Sequence, residues 1–310
     1  MKKSLIVQIS EGFGNQLFMY ANAFALSQDK KFNLLIDDTS GYSKKKNNLR
    51  GQKYLLNCLN VKQEIASNYL KPDTYIKHFI KKYNLFFDFY KNKKSYLFED
   101  INHINGSKKI SNLTDYENVN FHDNIFLTGN FENENYFKIY RKNLINLFSV
   151  KLEYINNDLS FIHKLRNTNS ISIHVRQNRF SDQNIIKNND ANILKSENFL
   201  KDNLDYIDRS INFFNSKIEK PTFFIWSNDF TNLDYFFAKY KEGNFYFIQG
   251  NDVLNDFNLF KYAKHFIVGP STFHWWGAWL NNSVGKICVR PNNINPSNND
   301  NFWPETWMKI

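Results

Sequence analysis

The second half of the chain is a repeated pattern of short apolar runs separated by longer amphipathic segments. The apolar runs predict five buried strands, at residues 170–175, 222–227, 245–249, 265–269 and 286–290. The segments between them predict helices around 197–216, 231–240 and 254–263, and from about 272. Short strands that alternate with helices are typical of a doubly wound sheet, so the pattern predicts a Rossmann-like α/β domain.

The first fifty residues predict a strand, a turn, a helix and a second strand. The strand is LIVQI at residues 5–9, SEGFGN is the turn, and apolar residues then recur at helical spacing before the second strand, FNLLIDD. This βαβ opening indicates a second α/β domain with a parallel sheet. A further strand is expected at residues 125–131, while the rest of 40–130 is interrupted by lysine and asparagine.

Residues 76–90 have an apolar helical face with lysines beside it. A basic amphipathic helix can lie on an anionic membrane. More commonly such a helix packs its apolar face on its own domain. Both interpretations stay open from the sequence.

The length of 310 residues, 37.0 kDa, favours two domains. We expect an N-terminal α/β domain over residues 1–160, with insertions, and a C-terminal Rossmann-like domain over 161–292. The tail at 293–310 contains two tryptophans and is expected to pack back across the domains.

Composition narrows the function only coarsely. Hydrophobic residues make up 42% of the chain, which is enough for packed cores and too much for a disordered protein. The formal charge of +10 implies an anionic partner. Nucleic acid, a phosphorylated substrate and an anionic membrane surface all meet that description.

The cysteine count and the N-terminus bear on the compartment. The two cysteines, Cys58 and Cys288, are too few for a disulfide framework or a thiolate zinc site. The apolar run at the N-terminus is shorter than a secretory signal, and no run of roughly 20 apolar residues predicts a membrane span. We expect a cytoplasmic protein, with peripheral contact to the inner membrane left open.

Polar residues gather where the predicted strands of the second half end. Ligands of open parallel sheets bind at these carboxyl ends. His174 and Arg176 share one face of the first strand, and a guanidinium can bind phosphate oxygens in pairs. Ser227 and Asp229 follow the second strand. An arginine at a strand end more often forms a surface ion pair than a phosphate site. The residues around Arg176 therefore decide between these two interpretations.

The segment GPSTFHWWGAWL places Ser271 and Thr272 where a strand turns into a helix. Both residues are favoured N-caps, and the free N–H groups of a helix N-terminus attract phosphate. Capping and phosphate binding are compatible here. His274, next to Trp275, is expected to be a packed residue.

Metal and dinucleotide sites are not indicated. The chain has no Asp-x-Asp pair and its histidines lack ligand spacing, so a bound divalent metal is not expected. The N-terminal EGFGNQ contains half of a dinucleotide fingerprint, but Leu17 stands where the third glycine would be.

Three segments together resemble the bacterial α-1,2-fucosyltransferase family: GFGNQLFMYANAFAL, SISIHVRQNRF and DFNLFKYAKHFIVGPSTFHWWGAWL. They span nearly the full chain in the family's order and spacing. The resemblance implies a GT-B-like fold of two Rossmann-like domains facing a cleft. In this fold the N-terminal domain (1–160) would carry insertions on the acceptor side, and the C-terminal domain (161–292) would bind the nucleotide-sugar. The resemblance also implies GDP-fucose as the donor, no metal, and transfer with inversion to the 2-hydroxyl of a β-galactoside in a surface glycan such as lipooligosaccharide or O-antigen.

The resemblance also implies roles for individual residues. Arg176 corresponds to the family's motif arginine, expected on the donor pyrophosphate, and His174 and Asp229 to positions near the guanine. Ser271 and Thr272 correspond to phosphate-side hydroxyls. A last pair, Gly14 and Asn15, corresponds to the family's cleft loop.

The chain departs from the family pattern at four positions. Gln177, Asn178 and Arg179 stand where the pattern has a second arginine, a glycine and an aspartate. Arg179 is a candidate to restore the lost charge. Glu11 replaces a glycine that is common in the family, and we name it as a candidate general base.

Two alternatives remain open at this point. The same fold can serve another nucleotide-sugar or another acceptor, because residues 177–179 are atypical. A polyanion-binding or nucleic-acid-binding protein would account for the charge and the many aromatic residues, but not for the polar residues gathered at the strand ends.

Overall fold

The computed structural model describes residues 3–42, 52–71, 94–99, 103–104, 110–180, 190–240 and 244–310. The chain divides into two compact units, residues 1–149 and 150–310. The division lies between Ser149 and Val150, whereas the sequence prediction ended the first domain at residue 160. The predicted amphipathic helix at 76–90 falls outside the described residues.

The first unit contains a five-stranded sheet in the order β2-β1-β5-β3-β4. Its strands are β1 (Ser4–Gln8), β2 (Asn33–Asp37), β3 (Lys94–Phe98), β4 (His103–Ile104) and β5 (Asn124–Thr128). Only β4 runs antiparallel to its neighbour. The predicted βαβ opening is confirmed, as is the strand predicted at 125–131, although β5 starts one residue earlier and ends at Thr128.

Helix α1 (Phe13–Lys30) connects β1 and β2, and almost all of its first four turns are buried. It ends at Lys31, whose backbone is left-handed with φ 56° and whose N–H donates to the Ser27 carbonyl. A second helix, α2 (Arg141–Leu147), follows β5 later in the chain.

The second unit contains a six-stranded, wholly parallel sheet in the order β11-β10-β9-β6-β7-β8. The strands are β6 (Asn169–Val175), β7 (Pro221–Ser227), β8 (Asn244–Phe247), β9 (His265–Ile267), β10 (Cys288–Arg290) and β11 (Met308–Lys309). Counted from β6, this is the 3-2-1-4-5-6 order of the doubly wound nucleotide-binding sheet read from the β8 edge. The five predicted strands are confirmed.

Helices cover both faces of this sheet. They are α3 (Leu159–Asn167), α4 (Asp190–Lys217), α5 (Leu233–Phe237), α6 (Val253–Phe260) and α7 (Thr272–Leu280). Because strand side chains alternate, Ile171, Ile173 and Val175 of β6 pack in the core that α4 covers. The intervening Ser172 and His174 face the other side, where Ser172 meets His274 of α7.

The tail is part of the second unit, and β11 was not predicted. It pairs with β10, with Val289 opposite Met308. The Trp275 indole donates to the Phe302 carbonyl at 2.9 Å, and the Trp303 indole donates to the Ile294 carbonyl at 2.9 Å. The tail is therefore anchored on the sheet and on α7. Packing across both domains stays a prediction.

Tyr206 links helix α4 to the ends of β9 and β10 by hydrogen bonds, and replacing it tests how much this link stabilises the fold. Its buried hydroxyl lies 3.2 Å from the Val268 carbonyl and 2.8 Å from the Val289 carbonyl. Tyr206→Phe keeps the ring and removes the donor, so we expect it to lower the free energy of unfolding by about 1–2 kcal/mol in urea titrations. Tyr235→Phe, at a side chain that is 85% exposed, is the matched control and should change nothing.

Candidate functional site

The reversal of strand order in the second unit lies between β6 and β9. In sheets of this topology the crevice for a ligand opens at the carboxyl ends of those two strands. Arg176 follows the end of β6 directly, while Ser271 and Thr272 follow β9 at the start of α7. The structure therefore brings these three predicted residues to the same switch point.

The ends of β6 and β9 approach each other unusually closely. A β-carbon added to Gly269 would lie 2.2 Å from the carbonyl oxygen of His174, a separation that real side chains do not reach. Glycine is required here by lack of space, since its backbone conformation is ordinary. The turn at 269–271, which comes after β9, can lie directly against the end of β6 only because Gly269 has no side chain.

His174 is a buried, neutral imidazole at this switch point. Its side chain is 6% exposed, and burial together with the nearby Arg176 charge lowers the pKa of His174 to about 3. Its ring packs edge-on against Phe273 at 5.9 Å between centroids. Its Nδ1 is buried with no protein partner. Since an unpaired buried polar atom is costly, this nitrogen is available to a ligand.

His274 supports the turn from inside. The Gly269 N–H donates to its Nδ1 at 3.2 Å, so the ring is neutral and its proton lies on Nε2. Nε2 is 2.8 Å from the Ser172 hydroxyl and donates to it. Complete burial, and secondarily the neighbouring His174, lower the pKa of His274 far below its usual range. The expectation of a packed residue is confirmed, and its contacts hold the turn at 269–271 in place.

Ser271 and Thr272 form the start of α7 without a capping bond from the Ser271 side chain. The Ser271 N–H donates to the Gly269 carbonyl at 2.8 Å, and the Trp275 N–H donates to the Ser271 carbonyl at 3.0 Å. The helix has nine residues and no acidic side chain in its first turn. Its N-terminal N–H groups therefore lie at the switch point, and the helix's own first turn contributes no carboxylate that would compete for them.

Ser227 and Asp229 shape the loop after β7. The Ser227 hydroxyl donates to the Val175 carbonyl at 2.9 Å, which links the ends of β7 and β6. The Asp229 carboxylate accepts from the Thr231 N–H at 2.9 Å and from the Asn178 amide at 3.0 Å. The Thr231 hydrogen bonds, chiefly, hold the pKa of Asp229 below its usual range. Direct contact of either residue with a donor stays a prediction.

Gln177 fixes the loop after β6 to the same segment. Its backbone N–H donates to the Asn228 side chain at 2.8 Å, and the Asn228 amide donates back to the Gln177 carbonyl at 3.2 Å. Its own amide donates to the carbonyls of Asp229 and Thr231, at 2.7 and 3.0 Å. At the position of the family's second arginine, this chain therefore has a buried, neutral glutamine. Its hydrogen bonds join the loop after β6 to the loop after β7.

Asp256 is a candidate that the sequence interpretation missed. It lies in the first turn of α6, where the Asn251 amide donates to it at 3.1 Å. Burial raises the pKa of Asp256 to about 6, against smaller opposing effects of Asn251 and the Trp226 indole. Trp226 is the residue of β7 paired with His174. The available signal is a carboxylate within the largely apolar run DFNLF, whose spacing predicts only a helix.

The first unit carries the other predicted residues. Glu11 follows β1 with a left-handed backbone, φ 61°, and Asn15 donates a hydrogen bond to its carboxylate. Gly14 and Asn15 lie in the first turn of α1. The buried amide of Gln16 donates to the carbonyls of Glu11 and Lys53, at 3.0 and 2.7 Å, which fixes the turn that carries Glu11. The roles of Glu11, Gly14 and Asn15 in binding or catalysis stay predictions.

The described residues contain neither a metal-binding cluster nor a membrane-spanning helix. Within them, no group of three or more His, Cys, Asp or Glu residues is placed to hold a metal ion. In the same part of the chain, no helix combines the length and the apolar character needed to cross a bilayer.

A doubly wound sheet with a neutral histidine, an arginine and a helix N-terminus at its switch point defines a protein of the doubly wound α/β class, an architecture that many nucleotide-binding proteins share. The sequence profile of glycosyl transferase family 11 matches residues 4–310. The chain therefore belongs to glycosyl transferase family 11 and is a glycosyltransferase.

Two curated relatives from Escherichia coli match over nearly their whole length. The chain is 27% identical to an alpha-1,2-colitosyltransferase, over 99% of this chain and 98% of the relative. It is 25% identical to the O-antigen biosynthesis glycosyltransferase WbnK, over 97% of this chain and 99% of the relative.

Solved structures support the fold. The chain is similar to fucosyltransferase NodZ from Bradyrhizobium, with a TM-score of 0.52 and 13% identity over 91% of this chain and 94% of that one. It is also similar to Arabidopsis thaliana FUT1, with a TM-score of 0.52 and 13% identity over 94% of this chain and 72% of that one. The predicted GT-B-like α/β fold is confirmed.

The two buried histidines make stability depend on pH. Because their pKa values are lower in the folded state, the unfolded chain takes up protons first as pH falls below about 6.5. Their contribution is therefore complete above that pH and declines toward acid, by about 1.4 kcal/mol per pH unit for each histidine. His274→Gln should show a smaller loss of unfolding free energy between pH 7.5 and 5.5 than the unsubstituted protein.

His163→Gln is the matched control, because His163 is exposed. It should keep the full pH dependence. An equal decline in all three proteins would contradict the assignment of His274 as a neutral support.

Proposed function

We propose that the protein transfers L-fucose from GDP-fucose, with inversion, to the 2-hydroxyl of a β-galactoside in a surface glycan. The observation that carries the proposal is the unpartnered Nδ1 of His174, buried beside Arg176 at the switch point. This combination suits a base and a diphosphate bound side by side. The family membership and the names of the relatives, which are glycosyltransferases, also support transfer of a sugar to a glycan.

The chemistry of the site favours guanine as the base. Guanine offers adjacent N–H donors on its Watson–Crick edge, and a carboxylate accepts two such donors. Asp256, with its partly buried carboxyl beside Trp226, suits them, and Asp229 is the other carboxylate that the family resemblance places near the guanine. His174 Nδ1 would accept a hydrogen bond if the ring proton lies on Nε2 and donate one in the other tautomer. NodZ α-1,6-fucosyltransferase soaked with GDP-fucose, a structure of the same fold, fits this donor class.

Departure of the nucleotide needs positive charge at the pyrophosphate. The acceptor oxygen attacks the anomeric carbon as the bond from that carbon to the β-phosphate oxygen breaks, and GDP leaves with the bonding pair. Arg176 and the N–H groups at the start of α7 would stabilise the growing charge on the leaving oxygen, by several kcal/mol. In this scheme no metal is used, and the acceptor proton goes to the Glu11 carboxylate.

A second donor is favoured by a specific observation. The E. coli relative that matches 99% of this chain is an alpha-1,2-colitosyltransferase, so a nucleotide-activated colitose is the alternative sugar. The WbnK relative, a glycosyltransferase of O-antigen biosynthesis, supports a surface polysaccharide as the acceptor. The family membership favours both sugars over polyanion binding. The proposal places the protein in the cytoplasm and does not require contact with the inner membrane.

The function is tested by incubating the protein with a panel of donors and β-galactoside acceptors in EDTA, followed by linkage analysis. The panel contains GDP-fucose, GDP-colitose, GDP-mannose and UDP-sugars. We expect an α-1,2-linked product from a GDP-linked deoxysugar at an unchanged rate in EDTA. Product from UDP-sugars alone, or activity that disappears with the chelator, would contradict the proposal.

Arg176→Ala is the site control for this assay. Removing the guanidinium should abolish measurable GDP binding in calorimetry and nearly all transfer, because the proposal assigns to Arg176 the paired contacts with the pyrophosphate and the charge at the leaving oxygen. Wild-type rates in this variant would mean that the donor does not bind at the β6–β9 switch point.

The role of Glu11 is tested by Glu11→Gln, which keeps the side-chain length and can still bond to Asn15. Loss of a general base should lower kcat by roughly a hundredfold to ten-thousandfold while GDP affinity stays the same. Asp38→Asn, at a carboxylate that already pairs with Lys71 at 2.6 Å, is the control for removing a charge from the same unit. Unchanged turnover in Glu11→Gln would rule out the base assignment.

A further inference from the structure

Arg179 lies in the loop after β6, where the chain departs from the family pattern. Its guanidinium bonds to backbone carbonyls of two other segments. Nη1 donates to the Pro270 carbonyl at 3.1 Å, and Nη2 donates to the Pro296 carbonyl at 2.6 Å. One side chain therefore connects the loop after β6, the turn before α7 and the C-terminal tail.

Two aromatic rings hold the guanidinium in this position. Its Cζ lies 5.1 Å from the ring centroid of Phe199 and 5.6 Å from that of Phe180. Such cation–π contacts favour one orientation of the planar fork. Because bonds from a charged donor are stronger than neutral ones, the two carbonyl contacts gain from the charge.

The turn at 269–271 is thus supported from two sides. His274 accepts from Gly269 inside the fold, and Arg179 donates to Pro270 at the next residue. Pro270 immediately precedes Ser271, and α7 begins at Thr272. A displacement of the Pro270 carbonyl would therefore move the N–H groups at the start of α7, and small displacements of a binding group reduce affinity strongly.

We propose that Arg179 is a positioning residue for the donor. It holds the turn before α7 in its binding geometry and, through Pro296, makes the C-terminal tail a structural part of the donor site. The inference rests on the proposed function, because it needs a diphosphate at the start of α7. It differs from direct charge replacement, in which Arg179 would itself contact the phosphates.

The first test compares Arg179→Gln and Arg179→Lys by steady-state kinetics and by calorimetry with GDP. A lysine keeps the charge but lacks the planar fork that bridges two carbonyls. We expect the donor KM and the Kd for GDP to rise about tenfold in both variants, with kcat changed less than about threefold. Lysine that restores wild-type affinity would overturn the proposal, because charge alone would then suffice.

Salt dependence separates positioning from direct contact. An ion pair with the pyrophosphate is screened by salt, so its loss would flatten the dependence of GDP affinity on ionic strength. If Arg179 only positions the turn, Arg179→Gln keeps the wild-type salt dependence at weaker affinity. A flatter dependence would overturn the proposal in favour of a direct contact.

Arg166→Gln is the matched control. Arg166 is an exposed arginine of α3 that also lies over an aromatic ring, with its Cζ 4.5 Å from the ring centroid of Tyr262. It removes the same charge from the same unit without touching the turn at 269–271. We expect wild-type KM and Kd for this variant. A tenfold loss here as well would show a general charge effect and contradict the proposal.

Hydrogen exchange tests the link to the tail. In the unsubstituted protein, GDP should slow amide exchange in residues 294–300, and in Arg179→Gln this protection should be lost even at saturating GDP. If the unsubstituted protein does not bind GDP, the proposed function fails. If it binds GDP and Arg179→Gln retains affinity and tail protection, only the role of Arg179 fails. Thermal unfolding of each variant excludes global unfolding as the cause.

Discussion

The proposed donor site depends on the close approach of two backbone segments at the centre of the second sheet. Gly269 follows β9 at a distance from the His174 carbonyl that leaves no room for a side chain. That approach brings the turn before α7 against β6, and it buries His174 and His274 side by side, with ring centroids 5.6 Å apart. Both imidazoles are neutral for the same reason, since burial penalises their charged forms. The positive charge at the switch point therefore comes from arginine and from the helix N-terminus.

The sequence predicts this region well because its signals are local. Alternation of apolar runs and helices predicts the sheet, and the change from strand to helix locates Arg176, Ser271 and Thr272. The order of the strands was not predicted, because doubly wound sheets occur in more than one common order. Asp256 was missed because its environment is not local: burial raises the pKa of this carboxyl in helix α6, and its neighbour Trp226 belongs to strand β7, which is distant in the sequence. β11 was missed because two residues are too few to produce a pattern.

The first unit was harder to predict for a related physical reason. β3 and β4 lie next to lysine-rich and asparagine-rich segments, so their apolar residues stand out poorly from their neighbours. The departures from the family pattern become clearer in three dimensions. Glu11 and Asn178 stand where the pattern has glycine, and both have left-handed backbones, with φ 61° and 52°. The chain keeps the backbone that glycine permits while adding side chains, at some conformational cost.

The aromatic packing of the tail has a practical consequence for spectroscopy. All six tryptophans of the chain lie in the second unit, and Trp303 and Trp307 pack near Trp275 of α7, with Trp275 and Trp307 centroids 5.5 Å apart. The first unit contains tyrosine and phenylalanine but no tryptophan. Light at the long-wavelength edge of the aromatic absorption band excites tryptophan and not tyrosine or phenylalanine. The resulting emission therefore comes from the second unit alone. Fluorescence selected in this way reports on the sheet and tail of that half, whereas circular dichroism sums both halves, so a difference between the two signals during denaturation would reveal that the halves lose structure separately.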